Sequence, residues 1–169
     1  MKARIYLTYV FLLLLLSCQG VLESVPSSGS TLYYNSFENS SDLIGWFGIS
    51  STSLQNDAPL FGGKKSIYIS GGCIVPHASY TFNSPGRDIK ITMECFGKNL
   101  SNGGTIELIL GTERLNQQYI LIEDSKWKFY QLDAEIYWPA DSTLTIWFIS
   151  GGDQPSSMLI DCLRLVEVD

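Results

Sequence analysis

An all-β domain, a sandwich or a barrel, is predicted for most of this 169-residue chain. Three observations predict it. Short runs alternate apolar and polar residues with period 2, the pattern of a half-buried strand. Clusters of Gly, Pro, Asn and Asp separate these runs and carry turn chemistry. No stretch shows the apolar stripe of an amphipathic helix.

The predicted strands run over 66–70, 88–95, 105–110, 118–122, 128–136, 143–149 and 158–168. Between them stand Gly62-Gly63, Ser84-Pro85-Gly86, Asn102-Gly103-Gly104, Pro139-Ala140-Asp141 and Gly151-Gly152-Asp153. Each of these favours the tight or left-handed backbone that joins antiparallel strands. No internal repeat is present.

The N-terminal end is of a different kind. Lys2 and Arg4 are the only charges before Cys18, and residues 5–16 are almost all apolar. A basic start followed by a short apolar run is the pattern of a secretory signal, too short for a good transmembrane helix. It ends in Leu15-Leu16-Ser17-Cys18. That tetrad resembles a bacterial lipobox, which implies cleavage before Cys18 and a diacylglyceryl group on its thiol. The other reading is an ordinary cleaved signal ending near an incidental Cys. Gln19 stands where an Asp often retains lipoproteins in the inner membrane, so the resemblance points to the outer membrane of a bacterial cell envelope. Residues 19–31 are rich in Ser, Gly and Pro and read as a flexible spacer. The expected organisation is therefore a signal over 1–17, a lipidated Cys18 with its tether over 18–31, and a β domain over 32–169.

Composition narrows the partners. The formal charge is −6, and removing Lys2 and Arg4 with the signal makes it −8. Lys64-Lys65 is the one adjacent basic pair. Nucleic acid is a poor partner for such a chain, and so is anionic lipid, whereas neutral ligands, cations and proteins fit. Without residues 1–17, 152 residues remain of 169, enough for one domain with its own core. Of the cysteines, Cys73, Cys95 and Cys162 stay after Cys18 is assigned, an odd number that cannot all pair within the chain. Cys73 could pair with Cys95 in an oxidising compartment if their strands are neighbours. The alternative is three small buried apolar residues.

Several segments together resemble one family. They are Tyr33-Tyr34-Asn35-Ser36-Phe37-Glu38 with Gly45-Trp46, then Gly62-Gly63-Lys64-Lys65-Ser66-Ile67, then Lys126-Trp127-Lys128-Phe129, and finally Leu159-Ile160-Asp161-Cys162-Leu163. Their order is similar to that of the galactose-binding-like jelly rolls, in particular the carbohydrate-binding modules appended to xylanases and glucanases. The opening also resembles jelly-roll adhesin domains of Bacteroidetes surface proteins. The resemblance implies a two-sheet antiparallel β-sandwich over about residues 32–168. It further implies one structural Ca²⁺ held by Glu38, by the loop carrying Gly63 and Lys65, and by Asp161. A hard cation wants such oxygen ligands. Cys162 stands where the family has a second Asp, a departure in this ligand set.

Sugar-binding modules of this kind stack pyranose faces on exposed aromatic rings. Trp127 and Trp46 occupy motif positions implying burial. In the run 143–149 the alternation places Trp147 opposite the face of Leu144, Ile146 and Phe148. Trp147 is therefore a candidate platform, with Glu107 and Glu94 on other strands facing the same way. Tyr119, Tyr137 and Trp138 are further candidates. No HExxH, GxSxG or phosphate-cradling motif occurs, and His77 is the only histidine, in a loop-like setting after Pro76. The reading is a non-catalytic, membrane-anchored lipoprotein that binds carbohydrate. The alternative is a protein-binding adhesin, or a structural part of an envelope assembly that contacts a cell-surface protein.

Overall fold

The structure is a computed structural model and describes residues 29–71, 77–150 and 156–168. Among these residues twelve strands form two antiparallel sheets stacked face to face, the sandwich expected from the sequence. The larger sheet holds β1 (Ser30–Asn35), β3 (Leu54–Gln55), β4 (Ser66–Gly71), β6 (Ile89–Ser101), β9 (Lys128–Gln131), β10 (Ile136–Trp138) and β12 (Ser156–Val168). The smaller sheet has the order β2 (Trp46–Phe47), β5 (Ala78–Phe82), β11 (Leu144–Ile149), β7 (Gly104–Leu110), β8 (Glu113–Ile122).

The long strands β6 and β12 form the spine of the larger sheet. On its other edge β12 pairs first with β4, over Ser156 to Ile160, and then with β1, over Leu163 to Glu167. Between the two partners lies a bulge. Asp161 opposes Phe96 and Arg164 opposes Glu94, so two residues of β12 face only Cys95. The extra residue inverts the alternation: Met158 and Ile160 point into the core before the bulge, Leu163 and Leu165 after it. Cys162 absorbs the kink at φ +49°.

Other differences from the expected strands have local causes. Run 128–136 splits into β9 and β10, both on the flank of β6, because Leu132 turns aside and donates its N–H to Met93 O. β5 was not expected from the sequence, although Ala78, Tyr80 and Phe82 face inward and Ser79 and Thr81 outward. His77 stands immediately before β5 and donates its N–H to Phe148 O. β1 begins at Ser30, inside the stretch expected to be tether, because Ser30 and Thr31 pair with Glu167 and Val166.

The core consists of apolar side chains from both sheets, among them Ile67, Ile91, Met93 and Leu165 from the larger and Ile106, Leu108, Ile146 and Phe148 from the smaller. Each such burial stabilises by about 1.5–3 kcal/mol relative to exposure. A run of aromatic rings closes one side: Trp46 stacks on Phe148 at 4.8 Å, and Tyr33, Tyr80 and Phe82 meet at 4.8–5.1 Å. The core cluster, with the partly buried residues packed on it, falls between Tyr33 and Leu165. Among the described residues the two sheets thus share one core. Among the described residues no helix is long and apolar enough to cross a membrane.

Candidate functional site

The outer face of the smaller sheet carries a row of side chains set by strand register. Phe47 on β2 pairs with Ser79 on β5, Ser79 with Trp147 on β11, Trp147 with Glu107 on β7, and Glu107 with Tyr119 on β8. One straight line thus crosses all five strands, alternating aromatic and polar residues. Directly opposed residues on antiparallel strands hold their Cβ atoms about 4.5–5.5 Å apart. Phe47 is 77% exposed and Tyr119 47%, while Trp147 and Glu107 are half-buried. Next to the row, the hydroxyls of Thr81 and Thr145 hydrogen-bond at 2.9 Å. On the other side Thr105 Oγ1 donates to Glu107 Oε1 at 3.5 Å, and Leu121 pairs with Thr105.

Of the residues singled out in the sequence, Trp147, Glu107 and Tyr119 are brought together here. Glu94, Tyr137 and Trp138 are not. Glu94 belongs to β6 in the other sheet, where it is 1% exposed and accepts from Arg164 Nη1 at 2.6 Å. Its buried charge is satisfied by that partner, so it is a structural group and not a platform neighbour. Trp138 is a core residue: it is buried, meets Phe82 edge-on, and donates Nε1–H to Ser142 O at 2.7 Å. Tyr137 is exposed, but on β10 at the margin of the larger sheet, where a hydrogen bond with Asp88 raises its phenol pKa. Trp46 is buried as expected. Trp127 is half-buried and donates Nε1–H to Asp57 Oδ1 at 2.8 Å.

Sequence reading passed over Phe47 and Ser79. Phe47 follows a Trp that packs inward, so period 2 alone turns it outward. Ser79 lies on β5, whose short alternating run follows the loop-like Pro76-His77 and gives little strand signal.

A second constellation lies at the β12 bulge. Glu38 Oε1 accepts the backbone N–H groups of Lys64 and Lys65 at 2.8 and 2.9 Å. Asp161 is fully buried; its Oδ1 accepts the N–H of Cys162 at 2.6 Å, and its Oδ2 has no hydrogen-bond partner among the described residues. Burial, with the charge of Glu38 adding to it, pushes the Asp161 carboxyl up to about 7. Two glycines make room for this pair. A Cβ on Gly62 would stand 2.2 Å from Asp161 Oδ2, and one on Gly63, at φ +94°, 2.2 Å from Glu38 Oε1. The residues preceding and following the two carboxylates, Phe37 and Cys162, both hold φ near +50°. Non-glycine residues rarely adopt that region, and such strain gathers where a site over-determines the backbone. The structure therefore brings Glu38, Asp161 and the loop with Gly63 and Lys65 together. Among the described residues no group of three His, Cys, Asp or Glu side chains is placed to hold a metal ion.

Cys95 is a buried free thiol in the core, and burial pushes its pKa up. Cys162 is half-buried, with Tyr34 Oη donating toward its Sγ at 3.6 Å. Cys18 and Cys73 lie outside the described residues.

No protein-family model and no curated protein sequence matches the chain. Solved structures do match in fold. The CBM22-1 xylan-binding domain of Paenibacillus barcinonensis Xyn10C aligns with a TM-score of 0.55 and 16% identity, over 86% of this chain and 99% of that one. The CBM22-1–GH10 modules of Clostridium thermocellum xylanase 10B, complexed with xylohexaose, align with a TM-score of 0.54 and 13% identity, over 83% of this chain and 29% of that one. The enzymatically active domain of tailspike protein 4 from bacteriophage CBA120 gives a TM-score of 0.54 and 15% identity, over 85% and 21%. The fold is that of the carbohydrate-binding-module jelly rolls; at these identities the likeness is one of fold alone.

Proposed function

We propose that the chain is a non-catalytic carbohydrate-binding module whose ligand rests on the outer face of the smaller sheet. The observation that carries this reading is the row Phe47, Ser79, Trp147, Glu107, Tyr119. The C–H face of a pyranose is apolar and packs on the electron-rich face of an aromatic ring. Glu107 and Ser79, between the rings, are placed to bond hydroxyls. Xylan and xylohexaose are named for two of the neighbours in fold, which supports a glycan as ligand class. The test is a screen of purified residues 19–169 against a glycan array and soluble polysaccharides. The expected result is reproducible binding to one neutral glycan class, lost in a folded Trp147→Ala variant. Silence across the panel from a folded domain overturns the reading.

Ca²⁺ belongs to the same proposal. The orphaned Asp161 Oδ2 and the space kept by Gly62 and Gly63 fit a cation at the bulge. Glu38 and Asp161 would supply the charge, and the loop with Gly63 and Lys65 backbone carbonyls. Bound Ca²⁺ would neutralise the two carboxylates and tie the start of the domain to its end. Equilibrium dialysis with ⁴⁵Ca²⁺ on wild type and Asp161→Asn tests this; equal uptake by both removes the site.

Membrane anchoring through Cys18, with Gln19 directing the protein to the outer membrane, completes the proposal. It rests on the lipobox resemblance. Metabolic labelling with an alkyne-tagged fatty acid should mark the wild-type chain and not Cys18→Ser. A second reading, a protein-binding adhesin or envelope subunit, draws on a different feature: Leu60 and Phe61 are 85% and 74% exposed at the turn closed by Gly62 N–H to Pro59 O. Loss of a crosslinked envelope partner in Leu60→Ser/Phe61→Ser, with glycan binding absent, would favour it.

A further inference from the structure

We infer that the turn from Pro59 to Gly62 is a second membrane contact, in which Leu60 and Phe61 enter the lipid surface that holds the acyl chains of Cys18. The inference rests on the lipid-anchor reading above and adds to it a docked edge of the domain. The turn presents these two side chains instead of burying them. Pro59 and Gly62 are buried at its base, and the Gly62 N–H donates to Pro59 O at 2.9 Å. Leu60 and Phe61 take the two central positions, 85% and 74% exposed, and neither packs on the core cluster. The loop is pinned on both sides of this tip. Before it, Asp57 accepts from Trp127 Nε1 at 2.8 Å and from Lys98 Nζ at 2.7 Å, and its carbonyl accepts from the Ser66 hydroxyl. After it, Glu38 Oε1 holds the amides of Lys64 and Lys65. Two large apolar side chains are thus fixed in water by a rigid loop, an arrangement that marks a contact with something outside the chain.

Size, charge and reach point to lipid. Two side chains fall well short of the roughly 800 Å² per partner that a stable protein contact buries. A bilayer needs no such area, because each Leu or Phe that leaves water favours the bound state by about ten-fold or more. Lys64 and Lys65, the one adjacent basic pair, follow the tip, and neither ammonium takes part in an ion pair among the described residues. Their stems can lie along the lipid while the charges meet headgroup phosphates. Glu38 and Asp161 stand behind the same loop and offset those two charges, and the chain as a whole carries −6. The matching surface is therefore zwitterionic, not anionic. Reach follows from register. Gly62 lies against Asp161, which stands six residues along β12 from Glu167, the partner of Ser30. The turn is thus about 20 Å from the point where the chain enters the sandwich. Twelve residues lead from Cys18 to Ser30, up to about 40 Å of chain. The anchor holds the tip within reach of its own bilayer, and a tethered second contact needs little affinity of its own.

The test is photolabelling of the full chain, produced in a bacterial host and reconstituted in phosphatidylethanolamine–phosphatidylcholine vesicles that carry a phosphatidylcholine with a diazirine in its acyl chain. Intact mass reports acylation of Cys18, and peptide mass spectrometry maps the label. Label is expected in the peptide that spans 59–65. Leu60→Ser/Phe61→Ser should lose it by at least about ten-fold, while that variant stays folded by circular dichroism and vesicle-bound through its acyl chains. Adding phosphatidylglycerol should not raise the labelling. An acylated, vesicle-bound chain with no label on the turn overturns the inference and leaves the anchor reading intact. Equal labelling of the Leu60→Ser/Phe61→Ser variant overturns it too, as does labelling that appears only with phosphatidylglycerol. A turn that crosslinks to an envelope protein in cells and takes no label from lipid overturns it in favour of a protein contact. A chain without acyl groups on Cys18 overturns the anchor reading and this inference with it.

Discussion

The two outer faces of the sandwich use similar residues to different ends. On the larger sheet several charged groups pair with one another. Arg164 donates to Glu94 and to Thr31 Oγ1, Arg87 pairs with Glu167, and Lys98 pairs with Asp57. One aromatic pair lies there as well, Phe96 meeting Phe129 edge-on at 5.6 Å. On the smaller sheet no ring contact joins Phe47, Trp147 or Tyr119 to another aromatic among the described residues, and the rings stand one per strand on alternate strands. One face is closed upon itself by charge pairing. The other keeps its rings apart at a spacing set by the sheet.

The largest effect that would break this contrast is on the closed face. Arg164→Ala leaves the Glu94 carboxylate buried without its cation and should destabilise the domain by about 3 kcal/mol, read from urea unfolding, with glycan affinity unchanged. A smaller effect lies at the bulge. The Asp161 carboxyl is raised from 3.8 to about 7 on folding, so between those values the folded state holds a proton that the unfolded state has released. Stability without Ca²⁺ is therefore fully present below about pH 4, declines up to about pH 7, and is level beyond. The loss is on the order of 2 kcal/mol once solvent screening is allowed for. Asp161→Asn should flatten the profile, measured by thermal unfolding in EDTA, and Ca²⁺ should restore stability at high pH to the wild type. The smallest stability effect is expected on the open face, where Phe47→Ala and Tyr119→Ala should each change unfolding free energy by no more than about 0.5 kcal/mol. Those same variants should lower affinity for the glycan bound by the wild type. A marked stability loss from either would make the row a packing feature.

Alternation made the central strands legible, since β4, β6, β7 and β11 turn alternate apolar residues into the core. It did not reveal which sheet a strand joins. Glu94 and Glu107 both stand at outward positions of alternating strands, and only long-range pairing separates them, one onto the closed face and one onto the open row. Trp138 could have been placed from its neighbours: it shares a face with the buried Ile136, and Tyr137 takes the other. The bulge in β12 is also written in the sequence as a shift of apolar phase, from Met158 and Ile160 to Leu163 and Leu165. A run of mostly apolar residues masks that shift until the partner strand is known. Glu38 and Asp161 were found through a family resemblance, because residues 123 positions apart carry no local signal that they meet.

That meeting has a mechanical consequence. Tension arriving from the residues before Ser30 enters the sandwich through β1, whose one strand partner is β12. Its rungs, from Ser30 with Glu167 to Asn35 with Leu163, would open one at a time, as a zipper does, and offer little resistance. Immediately beyond them come Phe37, fully buried, and Glu38, held by two amides of the glycine loop beside Asp161. The clasp at the bulge is thus a stop for peeling that starts at the N-terminal end of the sandwich.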